Sequence, residues 1–289
     1  MSNKSISRTA ALLTALALAS LFVASATAET AYNNATGLPA DLYDDNGDVK
    51  GLEMLTYFLF FVGYISMGAA FVFFMSERNN VAPEYRTTMT ISALIVGIAA
   101  FHYYYMRGVY ADFGVVSTEY RYMDWIITVP LMALKFPSLV GKDAITDKKI
   151  PLIGGFTGVC FTGALVMIGF GYLGEAGIMN ATIALLLGGM GWAMIMVATG
   201  LPFGLYDGLG VDNSKIKDEL KWSTDALRTF ILVGWIIYPV GYLFNSNTYD
   251  LGSEEIMGVL YNIADMINKI GFGIVAWIGA KKATEALAN

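Results

Sequence analysis

Two residues near the end of the chain carry the first sign of chemistry. Asp265 and Lys269 lie inside Gly258–Ile278, GVLYNIADMINKIGFGIVAWI. That run is about long enough to cross a bilayer at roughly 1.5 Å per residue. A spacing of four places the acid and the base one above the other on one helix face. A charge at membrane depth is costly, so such a pair marks a functional site facing the protein interior. A lysine amine can also form a Schiff base with an aldehyde.

A second stretch, Tyr120–Lys135, reads YRYMDWIITVPLMALK. Arg121, Asp124, Thr128 and Lys135 recur at helical spacing and fall on one stripe. Asp124 and Lys135 are separated by about 16 Å along a helix axis, nearly half a membrane. A stripe of ionisable groups through hydrocarbon suits a proton path; a buried structural ion-pair network is the plain alternative. Together the two stretches bring two acids to one lysine. A Schiff base kept cationic in a dry interior needs a counter-charge, which Asp124 and Asp265 can supply, with Arg121 balancing the second carboxylate. Tyr103, Trp125, Trp235 and Tyr238 are candidates for an aromatic box around a long apolar ligand, though each alone also reads as membrane-core packing.

The elements that must hold these residues are membrane helices. Of 289 residues, 56% are hydrophobic and only 15% charged, and the mean hydropathy is +0.55. Soluble proteins carry about a quarter charged residues. The single His and the single Cys exclude a multi-histidine metal site and an intramolecular disulfide. No carboxylate cluster has metal-ligand spacing, so no metal is expected. A net charge of −6 gives nucleic-acid binding no support. Residues 1–28 read as a cleaved signal peptide: a basic start, an apolar run, then Ala26-Thr27-Ala28. An uncleaved first helix is the alternative. Residues 29–50 form an acidic extracellular lead-in, 51–282 the helical domain, and 283–289 a cytoplasmic tail.

Seven bilayer-length segments are expected, at roughly Leu52–Ser76, Thr87–Tyr110, Tyr120–Val140, Pro151–Tyr172, Met179–Leu201, Ser223–Phe244 and Glu255–Ala280. The fold class is therefore an all-α seven-transmembrane-helix bundle. Alternate connections carry the lysines and arginines, among them Arg78, Arg86, Lys142, Lys215 and Lys281. The opposite set is acidic, with Asp112, Glu119, Glu175 and Glu254. Positive residues mark the cytoplasmic side, which puts the N-terminus outside and the C-terminus inside.

The runs RYMDWIITVPL from Arg121, DMINK from Asp265, HYYYMRGV from His102, FGYLGEAGIM from Phe170 and GWIIYPVGY from Gly234 resemble the microbial rhodopsins, and within them the proteorhodopsin branch. The resemblance spans about Leu52–Ala280. It implies all-trans retinal bound covalently at Lys269, with Asp124 as counterion and proton acceptor and Asp265 as second counterion. It also implies that His102, Arg121 and Thr128 act as counterion partners, Thr128 through a hydrogen bond to Asp124. Trp125 and Trp235 would sandwich the polyene, with Tyr103, Tyr238, Pro239 and Tyr242 lining it. An apolar Met132 at the colour-tuning place implies green absorption.

One position departs from the pattern. The cytoplasmic proton donor is usually a carboxylic acid, and here it is Lys135. An ammonium near a positive Schiff base in low dielectric is unfavourable, so a relay through a neutral or loosely protonated amine is expected. A lysine snorkelling to the headgroups is the alternative. The resemblance implies a light-driven outward proton pump, a transporter rather than an enzyme, in the inner membrane of a bacterium. A photosensor with a slow photocycle is the alternative, and a non-retinal transporter a more distant one. Relatives form pentamers or hexamers, so a homo-oligomer in the lipid bilayer is expected. Gly188 stands where some relatives seat a carotenoid antenna, although glycine in a membrane helix commonly serves packing.

Overall fold

The computed structural model describes residues 32–33, 36–146 and 155–288. The expected signal peptide lies outside the described residues. The described part of the lead-in carries some local structure. A 3-10 turn at Ala40–Leu42 buries Leu42, whose carbonyl accepts from Lys50 N at 3.0 Å.

Five long helices follow: α1 Gly51–Glu77, α2 Arg86–Phe113, α3 Thr118–Val140, α4 Phe156–Glu175 and α5 Ala181–Thr199. The sixth span is broken into α6 Asp218–Leu232, a 3-10 turn Gly234–Ile236 and α7 Ile237–Tyr242. The seventh is α8 Glu254–Asp265, a π-helical turn Met266–Gly271 and α9 Phe272–Ala286. It runs past the boundary expected at 282. Among the described residues six helices are long and apolar enough to cross a membrane. The broken sixth span is the remaining segment of the expected seven. Its interruption has a local cause: Pro239 has no N–H to give the carbonyl four residues back, at Trp235, and Gly234 adds a flexible link.

Local signals set the ends. Gly114 closes α2 in the left-handed conformation, φ 64°, donating to Tyr110 O. Asn180 caps α5 by accepting from Thr182 N and Ile183 N, and Ser253 caps α8 by accepting from Ile256 N. Helices α4 and α5 meet at Gly163 and Gly191. A Cβ on Gly191 would stand 2.4 Å from Gly163 O, so only glycine allows that approach.

The bundle is apolar outside and polar within, as a chain in lipid must be. Helix α1 exposes Phe58, Val62, Ile65 and Val72, whereas Arg121, Asp124, Lys135, Asp265 and Lys269 are buried. Cys160 is buried in α4, as its apolar setting predicts. The start of α1, the ends of α2 and α4 and the start of α8 share one end of the bundle, called here the Gly51 face. The loops of Lys142 and Lys215 share the other, the Lys142 face. There Ala144 and Thr146 pair with Gly210 and Asp212 across two loops. Lys217 Nζ donates to Glu84 at 2.8 Å, and that bond holds its pKa above the usual lysine range.

Candidate functional site: a buried lysine between two carboxylates

Helices α3 and α8 and the π turn build the centre. Asp124 and Lys135 descend from α3, Asp265 ends α8, and Lys269 sits in the π turn, a feature frequent at functional sites. Lys269 Nζ donates to Asp124 Oδ2 at 2.5 Å and to Asp265 Oδ2 at 2.7 Å. The two carboxylates are held differently. Asp265 also accepts from Tyr103 Oη at 3.0 Å, Tyr238 Oη at 2.8 Å and Trp125 Nε1 at 3.2 Å. Among the described residues Asp124 accepts a side-chain hydrogen bond only from the lysine, and its Oδ1 has no hydrogen-bond partner. Arg121 and Lys269 against Asp124 and Asp265 leave the buried cluster neutral in sum, which a low-dielectric interior requires.

A cavity of about 330 Å³ opens from Lys269 between α3, α4, α5 and the sixth span. Trp125, Met132, Trp235, Tyr238, Pro239 and Tyr242 all line it. Its walls are apolar and aromatic, with charged groups at the Lys269 end and one more carboxyl, Glu175. That is the form of a site for an elongated apolar molecule with one reactive terminus.

The model of the bacteriorhodopsin-like protein family matches residues 54–283. This chain belongs to that family. The green-light absorbing proteorhodopsin of Gamma-proteobacterium EBAC31A08 is 36% identical over 220 residues, 75% of this chain and 84% of that one. The blue-light absorbing proteorhodopsin of Gamma-proteobacterium Hot 75m4 is 36% identical over 245 residues, 83% and 90% of the two chains. Among solved structures, xanthorhodopsin, described as a light-driven ion pump with dual chromophore, matches with TM-score 0.66 and 26% identity over 83% of this chain and 97% of that one.

Within this microbial rhodopsin fold, several residues sit otherwise than the sequence suggests. Tyr103 is not on the cavity wall; it stands behind Asp265 and holds it. Thr128 Oγ1 donates at 3.0 Å to the main-chain carbonyl of Asp124, not to its carboxylate, the usual bond of a helical threonine to the residue four back. Arg121 makes no ion pair within 4 Å among the described residues. Its Nη2 donates to Asn262 Oδ1 at 2.9 Å, and its guanidinium lies over the rings of Phe60 and Tyr261. His102 Nδ1 is 4.0 Å from Asp124 Oδ1, an ion-pair distance rather than a hydrogen bond, and 3.0 Å from Ile98 O. Lys135 does not snorkel. It is fully buried, its Nζ has no hydrogen-bond partner among the described residues, and it lies 4.8 Å from the centre of the Phe272 ring.

Sequence reasoning missed three residues. Glu175 counts among the loop charges by position, yet it is 1% exposed, lines the cavity and accepts from Tyr261 Oη at 2.5 Å. Asn262 is the partner of Arg121. Asn268, beside Lys269, donates to Gly234 O at 3.0 Å. For the two asparagines a signal existed: both are polar residues within a bilayer-length apolar run, which the membrane penalises unless they are used.

Proposed function

We propose that the chain is a light-driven outward proton pump carrying all-trans retinal on Lys269. The observation that carries this reading is the unequal holding of the two acids. Asp265 is saturated by Lys269, Tyr103, Tyr238 and Trp125, so it serves as a fixed negative charge. Among the described residues Asp124 accepts a side-chain hydrogen bond from the Lys269 nitrogen alone, and its Oδ1, with His102 at 4.0 Å, accepts none, so it can take a proton from that nitrogen. The residues present fit retinal: a lysine amine for its aldehyde, and a long apolar cavity walled by Trp125 and Trp235 for its polyene. The chromophore, when bound, supplies light absorption and a change of shape at the Lys269 nitrogen.

The rest of the cycle belongs to this chain's own groups. Asp124 receives the proton at Oδ2, and Arg121 lies one turn towards the Gly51 face. Lys135 lies towards the opposite face and refills the Lys269 nitrogen from Nζ. The phenylalanine beside it, Phe272, keeps water from the route at rest. Lysines and arginines gathered on the Lys142 face support placing that face in the cytoplasm of a bacterial inner membrane, so protons leave at the Gly51 face. Met132 in the wall supports green absorption. For Gly188 packing suffices, because a Cβ there would stand 3.3 Å from Met167 O; the carotenoid antenna is not part of this proposal. A pentamer or hexamer is the assembly proposed by resemblance.

The test is illumination of cells that express the chain and are supplied with retinal. A pigment should form, and light should acidify the medium, with a protonophore abolishing the signal. Pigment without acidification would move the reading to the photosensor. Absence of any pigment would remove retinal altogether.

A further inference from the structure

The outer face of the sixth span carries a groove, apart from the retinal site. Leu220, Ser223, Thr224, Leu227, Arg228 and Ile231 of α6 are buried in the bundle. A second stripe, Trp222, Asp225, Ala226, Thr229, Phe230 and Val233, recurs at helical spacing and lines an open groove of about 360 Å³ that reaches Gly234. Trp222 and Val233 are 53% and 57% exposed. From Trp222 to Val233 is about 16 Å along the chain of the helix, the depth of one leaflet of a roughly 30 Å hydrocarbon core. The polar members of the stripe are satisfied within the chain. Thr229 Oγ1 donates to Asp225 O at 2.9 Å, and the Asp225 carboxylate pairs with Arg228 Nη1 at 3.3 Å. The wall is therefore apolar and carries no net charge.

The other wall is a single ring from the loop between α5 and α6, Phe203. Leu201 N donates to Tyr206 O at 2.7 Å and Leu205 N to Pro202 O at 3.2 Å, which closes a tight hairpin turn. Its two central residues, Phe203 and Gly204, have φ of 59° and 70°. Such a turn favours Asn or Gly at both places, and a phenylalanine there is strained. The strained residue is also 78% exposed. Packing within the chain does not account for it; an apolar guest in the groove does. At the Lys142-face mouth, Lys282 Nζ of α9 lies 5.4 Å from the centre of the Trp222 ring. Among the described residues Lys282 makes no ion pair within 4 Å, and Trp222 Nε1 donates no hydrogen bond. A cation and an N–H donor without acceptors, at headgroup depth beside an apolar groove, match a phosphate joined to a hydrocarbon chain.

We propose that this groove is a binding site for one anionic phospholipid of the leaflet on the Lys142 face: an acyl chain lies along α6 between Phe203 and the Trp222–Val233 stripe, and the phosphate rests on Lys282 and Trp222 Nε1. Phe203 supplies contact area for the chain, Lys282 the preference for negative charge. The site is independent of the retinal cavity and of the proton steps.

The experiment titrates the full chain in detergent with phosphatidylglycerol or phosphatidylcholine and counts retained lipids by native mass spectrometry. A phosphatidylglycerol carrying a diazirine in one acyl chain then maps the contact by photo-crosslinking. One phosphatidylglycerol should be held about tenfold more tightly than phosphatidylcholine, and crosslinks should fall on Phe203 and on residues 222–233. Lys282→Gln should remove that tenfold preference and leave phosphatidylcholine binding unchanged. Phe203→Gly should weaken both lipids about fivefold through lost apolar contact, while the melting temperature stays level or rises because glycine meets a φ of 59° without strain. If that variant melts lower, Phe203→Asn, which also tolerates the left-handed conformation, repeats the measurement. Soluble glycerol phosphate should not displace the lipid; displacement would mean that the site reads the phosphate alone and would overturn the acyl-chain part. Equal retention of the two lipids, an unaltered preference in Lys282→Gln, or crosslinks spread evenly around the bundle overturns the proposal. Crosslinks that join Phe203 to another copy of the chain overturn it as well, because the groove is then a contact between copies.

Discussion

Replacing Lys135 by methionine should make the protein more stable and its cycle slower. The amine is fully buried, and Nζ finds no hydrogen-bond partner among the described residues. An unsatisfied buried polar group costs about 1–3 kcal/mol. The Phe272 ring, 4.8 Å away, offsets part of this: an ammonium over an aromatic face contributes about 0.5–2 kcal/mol, and a neutral amine much less. Methionine has nearly the same length and volume, so the packing against Phe272 survives without a cavity. The net expectation for Lys135→Met is a stabilisation of about 1 kcal/mol. Lys135→Ala, by contrast, deletes several buried methylenes and should destabilise by about 2–4 kcal/mol through the cavity left behind.

On function the two variants should agree. A positioned acid–base group contributes about 10²- to 10⁴-fold to a proton transfer, so reprotonation of the Lys269 nitrogen should slow by at least about a hundredfold in both. Azide, a small diffusible proton carrier, should restore much of the rate. Thermal bleaching of the pigment measures the first effect and flash photolysis the second. The signs are what matter: gain of stability with loss of rate in the methionine variant marks a residue kept for function against its structural cost. A methionine variant that is less stable than wild type and cycles normally would falsify the reasoning, because Lys135 would then be a satisfied structural lysine.

Further perturbations probe the rest of the centre. Asp124→Asn should abolish light-driven acidification while a pigment still forms, read by pH electrode and absorption spectrum; retained pumping would remove Asp124 as acceptor. Tyr238→Phe takes one of the donors from Asp265 and should weaken the holding of that carboxylate by about 1.5–3 kcal/mol, seen as a shifted colour and faster thermal bleaching. Glu175→Gln should leave pumping intact yet move the absorption band, since its carboxyl lines the cavity; an identical spectrum would show that it braces Tyr261 and nothing more. Gly191→Ala should lower stability by about 1–3 kcal/mol, because its methyl group meets the backbone of α4.

The number and length of the helices were readable from apolar runs because a bilayer imposes one length on every span. Asp124, Lys135, Asp265 and Lys269 were readable for a related reason: each is an ionisable residue inside such a run, and the membrane penalises it unless it is used. The site's asymmetry was not. Tyr103, Trp125 and Tyr238 reach Asp265 from three different spans. Periodicity reports which residues share a face of one helix, not which faces meet. Glu175 was misplaced for a different reason. The apolar run was expected to end at Tyr172, while α4 continues to Glu175 and turns its last carboxyl inward to Tyr261. The break at Gly234 had a signal in Pro239, but membrane helices tolerate proline, so the sequence alone leaves a continuous span equally plausible.

The π turn explains why one short segment can serve three neighbours. Asp265 and Lys269 reach one another within the seventh span, Asn262 one turn earlier holds Arg121, and Asn268 holds Gly234 in the sixth span. Each side chain points to a different element, so the segment joins the two carboxylates, Arg121 and the break at Gly234 in the sixth span. A π turn is a wide, imperfect stretch of helix, less strongly ordered by its own hydrogen bonds than the α-helix on either side. Deformation at Lys269 will therefore concentrate in Met266–Gly271 before it spreads along α8 or α9. Within that turn Asn268 reaches out of the seventh span and donates to Gly234 O of the sixth.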